Sequence, residues 1–203
     1  MEKNFSLPRS AFDAIPENEL YIFPSQVTKS LAEDLKSVEG PAGPVPHPFS
    51  YSLYAQAPNI KTKGGEARVV DSSNFTVSTN IAAALVTLHP GALREMHWHP
   101  NADEWLYFIS GQGRVTVFAA VGHARTMDFV AGDVGYIPKS MGHYIENTGD
   151  TDLRFLETFR SSYYASISLS NWMGLTPPEL IQAHTNMSLE SIATFPKTQK
   201  VIV

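Results

Sequence analysis

The sequence contains no cysteine. Disulfides and thiolate nucleophiles are therefore excluded, and any metal must be held by nitrogen and oxygen donors. Basic charge is scarce as well: 15 Lys and Arg stand against 20 Asp and Glu, a formal net charge of −5. That balance gives no electrostatic footprint for nucleic acid or an anionic membrane surface, so a small anionic substrate would need local positive charge from a metal or an arginine. Internal repeats and low-complexity tracts are missing too. No apolar run is long enough to span a bilayer, and the stretch from Met1 to Phe12 lacks the apolar centre of a secretory signal. Asn4, Asn74 and Asn186 each open an Asn-x-Ser/Thr triplet, an acceptor in a secreted chain. The compartment stays open: cytoplasmic if the chain is complete, secreted if it is a processed fragment.

What is present fits one domain of mainly β structure. The chain has 203 residues, 43% of them hydrophobic, enough for a single well-buried core. Short runs rich in β-branched and aromatic residues, at Tyr51 to Tyr54, Ala67 to Val70, Ala82 to Leu88, Glu104 to Ile109, Arg114 to Ala120, Arg125 to Val130, Val134 to Ile137, His143 to Asn147 and Leu153 to Phe159, are punctuated by Gly, Pro, Asn and Asp. Such spacing predicts a jelly-roll β-barrel over residues 51–160. An N-terminal arm over residues 1–50 is expected to hold a strand at Leu20 to Phe23 and a short helix opened by the capping box Ser30-Leu31-Ala32-Glu33, with prolines at 41, 44, 46 and 48 extending the segment after Gly40. Residues 161–203 read as a helical extension: Ser168 to Met173, a second helix capped by Thr176 with Pro177 and Glu179 in its first turn, and a third capped by Ser188.

The stretch Gly91 to Gly111 organises the rest. On a strand, His97 and His99 share a face while Trp98 points away. The turn Pro100-Asn101-Ala102-Asp103 then lets Glu104 face the same point from a neighbouring strand. Two imidazoles and a carboxylate suit a divalent first-row metal, and zinc remains open on donor chemistry alone. A second stretch, Gly132 to Pro138 followed by His143 and Asn147, suggests His143 as a fourth ligand.

Gly91-x5-His97-x-His99-x4-Glu104-x6-Gly111 and Gly132-x5-Pro138-x-Ser140-x2-His143-x3-Asn147 resemble the two cupin motifs, with Ser140 where the general pattern has glycine. The longer runs Arg94 to Asn101, Glu104-Trp105, Gly122 to Thr126, Gly132 to Tyr136 and Met141 to Tyr144 are similar to oxalate decarboxylases, the manganese bicupins, and within them to the C-terminal cupin domain. The resemblance covers roughly Leu7 to Ala183, so the chain is either a single-domain relative or an excised domain. It implies manganese as the metal, dioxygen as co-catalyst, oxalate as substrate, and formate with carbon dioxide as products. It also implies Arg94 as the clamp on a substrate carboxylate, Glu157 as proton donor, and Tyr164 as a supporting residue behind the site.

The residues themselves bear on these roles. Strict alternation places Glu95, not Arg94, on the face of His97, so Arg94 reaches the site only through a bulge or an irregular strand entry. Glu157 shares its face with Leu153, Phe155 and Phe159, a setting in which burial raises a carboxyl pKa and suits it to proton transfer near neutral pH; a structural partner for an arginine is the other reading. Trp98 and Trp105 flank ligands and are expected to pack around the site or to fill core. His47, His89, His123 and His184 read as structural or solvated. The segment Ser161-Ser162-Tyr163-Tyr164-Ala165 lies where the N-terminal domain of the bicupins carries a glutamate-bearing lid, and it has no glutamate. That keeps two alternatives in view: an oxalate oxidase releasing peroxide, and a metal-binding cupin without activity. Closed symmetry and apolar residues in both extensions point to a homo-oligomer, a dimer or hexamer.

Overall fold

A computed structural model describes residues 1–18, 22 and 29–203. Of the expected strand Leu20 to Phe23, all but Ile22 lie outside the described residues. The chain divides into two compact units, Met1–Pro46 and His47–Val203.

The first unit carries helix α1 (Glu2–Phe5) and helix α2 (Leu31–Ser37). α2 opens with the capping box expected from the sequence: the Glu33 backbone N–H donates to Ser30 Oγ at 3.4 Å, and the Ser30 N–H donates back to Glu33 Oε2 at 2.9 Å. No residue of α1 or α2 is buried.

The second unit is a two-sheet antiparallel sandwich. One sheet orders its strands β1 (Ile60–Thr62), β2 (Gly65–Val70), β3 (Ala82–Leu88), β10 (Leu153–Phe159), β5 (Glu104–Ser110) and β8 (Val134–Ile137). The other orders β11 (Ile167–Ser168), β4 (Leu93–Trp98), β9 (Gly142–Asn147), β6 (Gln112–Ala119) and β7 (His123–Val130). Alternation sets the faces: in β5, Glu104, Leu106 and Phe108 are buried between the sheets while Trp105, Tyr107 and Ile109 are exposed. The same rule turns Leu153, Phe155, Glu157 and Phe159 of β10 inward, and His143, Ile145 and Asn147 of β9. The core joins Leu88, Leu106, Phe108, Ile145, Leu153 and Phe155 among others.

Several elements differ from expectation. Tyr51 to Tyr54 forms no strand; a short 3₁₀ turn occupies Leu53–Ala55. The three C-terminal helices are α3 (Leu169–Gly174), capped by Ser168 Oγ, α4 (Pro178–Thr185), whose cap is Pro177 and not Thr176, and α5 (Leu189–Ile192), capped by Ser188 Oγ. Beyond them the chain returns to the barrel. Val201 and Ile202 are buried in the core cluster, and Leu93 and Val203 exchange backbone hydrogen bonds at 2.9 and 3.0 Å. Residues 161–203 are thus not wholly a helical extension, since the last three close onto β4.

Two turn positions need unusual backbone. Gly111, between β5 and β6, has φ +83°, and a Cβ there would stand 2.6 Å from the Asp152 carbonyl oxygen. Ser140 takes φ +65°, the left-handed conformation for which glycine is suited. The loop keeps its shape with serine in place, pinned by the Ser140 N–H donating to the His99 carbonyl at 3.0 Å.

Candidate metal centre

The strand β4 does carry the bulge that Arg94 requires. Arg94 pairs with Ile145 and His97 with His143, so two residues of β4 stand opposite one of β9. Arg94 and Glu95 are consecutive and both buried, which no regular strand with one inward face allows. Arg94 and His97 face the interior together. Glu95, which alternation assigned to the site, turns its carboxylate toward the C-terminal segment, where Val201 N–H and Ser170 Oγ donate to it at 2.8 and 2.7 Å.

The remaining ligands arrive from both sheets. His99 follows the end of β4, His143 lies in β9, and Glu104 opens β5. Because β5 belongs to the opposite sheet, Glu104 reaches the site from across the sandwich and not from a neighbouring strand. The turn between them is braced by Asp103 Oδ1 accepting from the Lys139 N–H at 2.7 Å, which ties the two motifs together.

His97, His99, Glu104 and His143 present donor atoms all within 4.8 Å of one another, and all four residues are buried. Each imidazole is oriented in the same way. His97 Nδ1 lies 2.6 Å from the Glu95 carbonyl, His99 Nδ1 2.7 Å from that of Ala165, and His143 Nδ1 3.0 Å from that of Met141. A carbonyl only accepts, so each Nδ1 carries the proton and each Nε2 is left with a lone pair facing the cluster centre. These three Nε2 atoms and both Glu104 oxygens are buried without a hydrogen-bond partner. Glu104 Oε2 nevertheless lies 2.9 Å from His143 Nε2 and 3.2 Å from His99 Nε2. Lone pairs crowded this closely in a dry interior suit a shared cation, and such separations match adjacent donors about 2.1 Å from one ion. The residues fit a divalent metal.

The electrostatics agree. Burial, then the charge of Arg94, hold His97 well below its ordinary pKa, which keeps its lone pair available. Burial opposes ionisation of Glu104, but His143 and His99 more than reverse this and hold its carboxyl well below the usual carboxylate range. His143 is pulled the other way: burial disfavours its charge, and the adjacent Glu104 carboxylate raises its pKa overall.

Beside the cluster stand Arg94 and Glu157, both fully buried. Arg94 Nη2 donates to Tyr164 Oη at 2.8 Å and to Ser166 Oγ at 3.2 Å, while Nη1 donates to the Val201 carbonyl at 3.4 Å. Its Nε has no partner and lies 3.7 Å from Glu157 Oε1, which is also unpartnered, as is Oε2. Burial first, and then the charge of Glu104, push Glu157 up to about 7, with Arg94 opposing. Tyr164 packs its ring against His99 at 5.5 Å and Phe159 at 5.3 Å, and burial raises its hydroxyl pKa so that it stays protonated.

Other sequence expectations resolve as follows. Trp105 does not pack around the site: it points outward, stacked on Tyr107 with centroids 6.5 Å apart. Trp98 faces away from the ligands as alternation requires, and meets Trp172 of α3 edge-on at 5.8 Å. Asn147 is a brace and not a ligand, donating from Nδ2 to the Leu88 and Thr151 carbonyls at 2.8 Å each. His47, His89, His123 and His184 are exposed. Ser166 and Val201 are not among the residues that the sequence singles out, and Glu95 is placed by it at the site rather than against the C-terminal segment. The apolar run Val201-Ile202-Val203 after the polar Lys197 to Lys200 was the available signal for burial of that end.

Comparison with known proteins gives a consistent picture. Residues 51–193 match the cupin family. The chain is 48% identical over 200 residues to oxalate decarboxylase OxdC of Bacillus subtilis, covering 98% of this chain and 51% of that protein. It is 44% identical over 207 residues to a probable oxalate decarboxylase of Arthroderma benhamiae, covering 100% of this chain and 50% of the relative. A solved structure of the Bacillus subtilis oxalate decarboxylase, described with Mn(II) centres, superposes with a TM-score of 0.91 at 48% identity, over 100% of this chain and 53% of that one. The chain spans about half the length of these relatives.

Proposed function

The chain belongs to the cupin family, and on that premise we propose that it is a manganese-dependent oxalate decarboxylase-like domain converting oxalate to formate and carbon dioxide. The observation that carries this reading is the pairing of an unpartnered, buried Arg94 Nε with an unpartnered, buried Glu157 carboxyl 3.7 Å away, beside a four-ligand metal cluster. Groups so costly to bury unsatisfied call for a partner that enters and leaves. A small dicarboxylate meets both needs.

Manganese held by His97, His99, Glu104 and His143 would supply Lewis-acid and one-electron chemistry to a bound carboxylate, with dioxygen as co-catalyst. Arg94 then binds a carboxylate with a permanent charge, and its Nη donors, already fixed to Tyr164, Ser166 and Val201, hold the guanidinium in one orientation. Glu157, with a pKa near 7, is available as the protonated acid that water-exposed carboxyls are not. For hydrogenoxalate the balance is redox-neutral. The carbon–carbon bond breaks, carbon dioxide leaves, and the proton forms the C–H bond of formate.

A second reading, oxalate oxidation to carbon dioxide and peroxide, is favoured by the absence of any carboxylate in Ser161 to Ala165. One assay separates the two. Manganese-loaded protein given oxalate should yield formate well in excess of peroxide; excess peroxide selects the oxidase, and neither product rejects both. Glu157→Gln should keep its metal and lose formate production by about 10²-fold or more. Retained formate per bound metal with a lowered melting temperature would make Glu157 a structural residue.

We also propose a homo-oligomer, a dimer or hexamer, because Phe5, Leu31, Leu35, Val38, Trp172 and Leu180 leave apolar surface on both extensions. A monomer by light scattering would reject it.

A further inference from the structure

We infer that Val201–Val203 is a strap that positions Arg94 and His97, and that Glu95 is the positioning residue anchoring it. This rests on the reading of Arg94 as the anion clamp. The strap lies along β4, with Leu93 and Val203 exchanging backbone hydrogen bonds and Ile202 bridging Arg94. Its first residue, Val201, is held by Glu95 through two contacts. The Glu95 backbone N–H donates to the Val201 carbonyl at 2.9 Å, and the Val201 N–H donates to Glu95 Oε1 at 2.8 Å. Ser170 Oγ fixes the other carboxylate oxygen at 2.7 Å.

From this anchor two arms reach the site. The Val201 carbonyl that Glu95 fixes also accepts from Arg94 Nη1 at 3.4 Å. The Glu95 carbonyl accepts from His97 Nδ1 at 2.6 Å, setting the tautomer and ring orientation of a ligand.

Two features show that the strap is shaped for this place. Val201 adopts φ +64°, which a β-branched residue enters only when its surroundings demand it, with the Ile202 N–H donating to the Lys200 carbonyl at 2.7 Å. Gly64 lies beneath, where a Cβ would stand 3.1 Å from the Val203 carbonyl oxygen and 3.2 Å from the Ile202 side chain. An exposed carboxylate would not be spent in this way: Glu95 is buried, and it reaches the site only through Val201 and its own backbone. The bulge that brings Arg94 inward is what turns Glu95 toward the strap.

The test compares Glu95→Ala and Glu95→Gln with the parent in the manganese-loaded full chain, at a temperature where circular dichroism shows all folded. Readouts are the Mn(II) electron paramagnetic resonance spectrum and the calorimetric Kd for oxalate. Glu95→Ala should bind manganese with an altered spectrum and weaken oxalate about tenfold, with KM raised more than kcat is lowered. Glu95→Gln should restore both within about threefold, because its amide oxygen still accepts from Val201 N–H. A folded Glu95→Ala protein with the parental spectrum and oxalate Kd would overturn the inference, as would equal losses in Ala and Gln. If the parent binds no oxalate, the proposed function fails, and the strap is judged by the spectrum alone: changed in Ala and restored in Gln supports it, unchanged in Ala rejects it. Should Glu95→Ala not fold, the half-buried Ser170→Ala is read by the same criteria, with a smaller change in the same direction supporting the strap and none rejecting it.

Discussion

The two ends of the barrel interior are built by the same strands and obey different physics. β5 sends Glu104 to one end and Phe108 to the other, β9 sends His143 and Ile145, and β10 sends Glu157 and Phe155. At the apolar end, Leu88, Leu106, Phe108, Leu153 and Phe155 are at most marginally exposed, and each buried side chain favours the fold in proportion to the area it hides. At the polar end the side chains are as deeply buried, yet nine of the buried polar atoms there and nearby lack partners. One end holds the fold together, and the other is held together by it. The polar groups remain aimed inward because the alternation that buries Phe155 leaves Glu157 no other direction.

The largest expected effect breaks the apolar end. Phe155→Ala should lower stability by about 3–5 kcal/mol, since it leaves a cavity among well-packed neighbours including the Phe108 ring at 5.7 Å. A denaturant midpoint shift below about 1 kcal/mol at unchanged m-value would show that this end is not the stabilising one.

Next in size is a pH effect of opposite character at the polar end. Glu157 has a folded pKa of about 7 against an ordinary value of 4.5, so in the metal-free protein the native state holds its proton longer than the unfolded chain does. Stability from this group is therefore fully present below about 4.5 and is lost as pH rises through about 7, a change on the order of 3 kcal/mol. Measured as the difference between parent and Glu157→Gln, unfolding free energy should shift in favour of the Gln variant over that window and run parallel outside it. A pH-independent difference would remove the assignment of a raised pKa.

A smaller effect sits in the loop between β8 and β9. Ser140→Gly should stabilise by roughly 0.5–1 kcal/mol, because glycine takes φ +65° without the penalty of a Cβ. A destabilised variant would mean that the serine side chain contributes more than its backbone strain costs.

Much of this contrast was legible in the sequence, because period-2 alternation and motif spacing are local properties. Most strands from Ala82 to Phe159, the capping box at Ser30, and the shared face of His97 and His99 follow from residues near one another in the chain, while His143 joins them through a second, separate motif. At Arg94 the resemblance and the alternation disagree, and the bulge in β4 is what brings Arg94 inward. What alternation did not reveal are the long-range facts. Glu104 comes from the opposite sheet, Trp105 faces solvent, and Val201 meets Glu95 across a sequence separation of 106. No periodicity within one segment encodes which distant backbone will pair with it.

The central claim is that His97, His99, Glu104 and His143 form one divalent-cation site, and metal-linked stability tests it most directly. Thermal and denaturant unfolding of the metal-free parent and of His143→Ala should be followed with and without manganese, alongside metal content per chain. Manganese at a hundredfold excess over its Kd should stabilise the parent by about 2.7 kcal/mol at one ion per chain, and should leave His143→Ala unchanged and empty of metal. Full metal content and an undiminished shift in His143→Ala would contradict the four-ligand site.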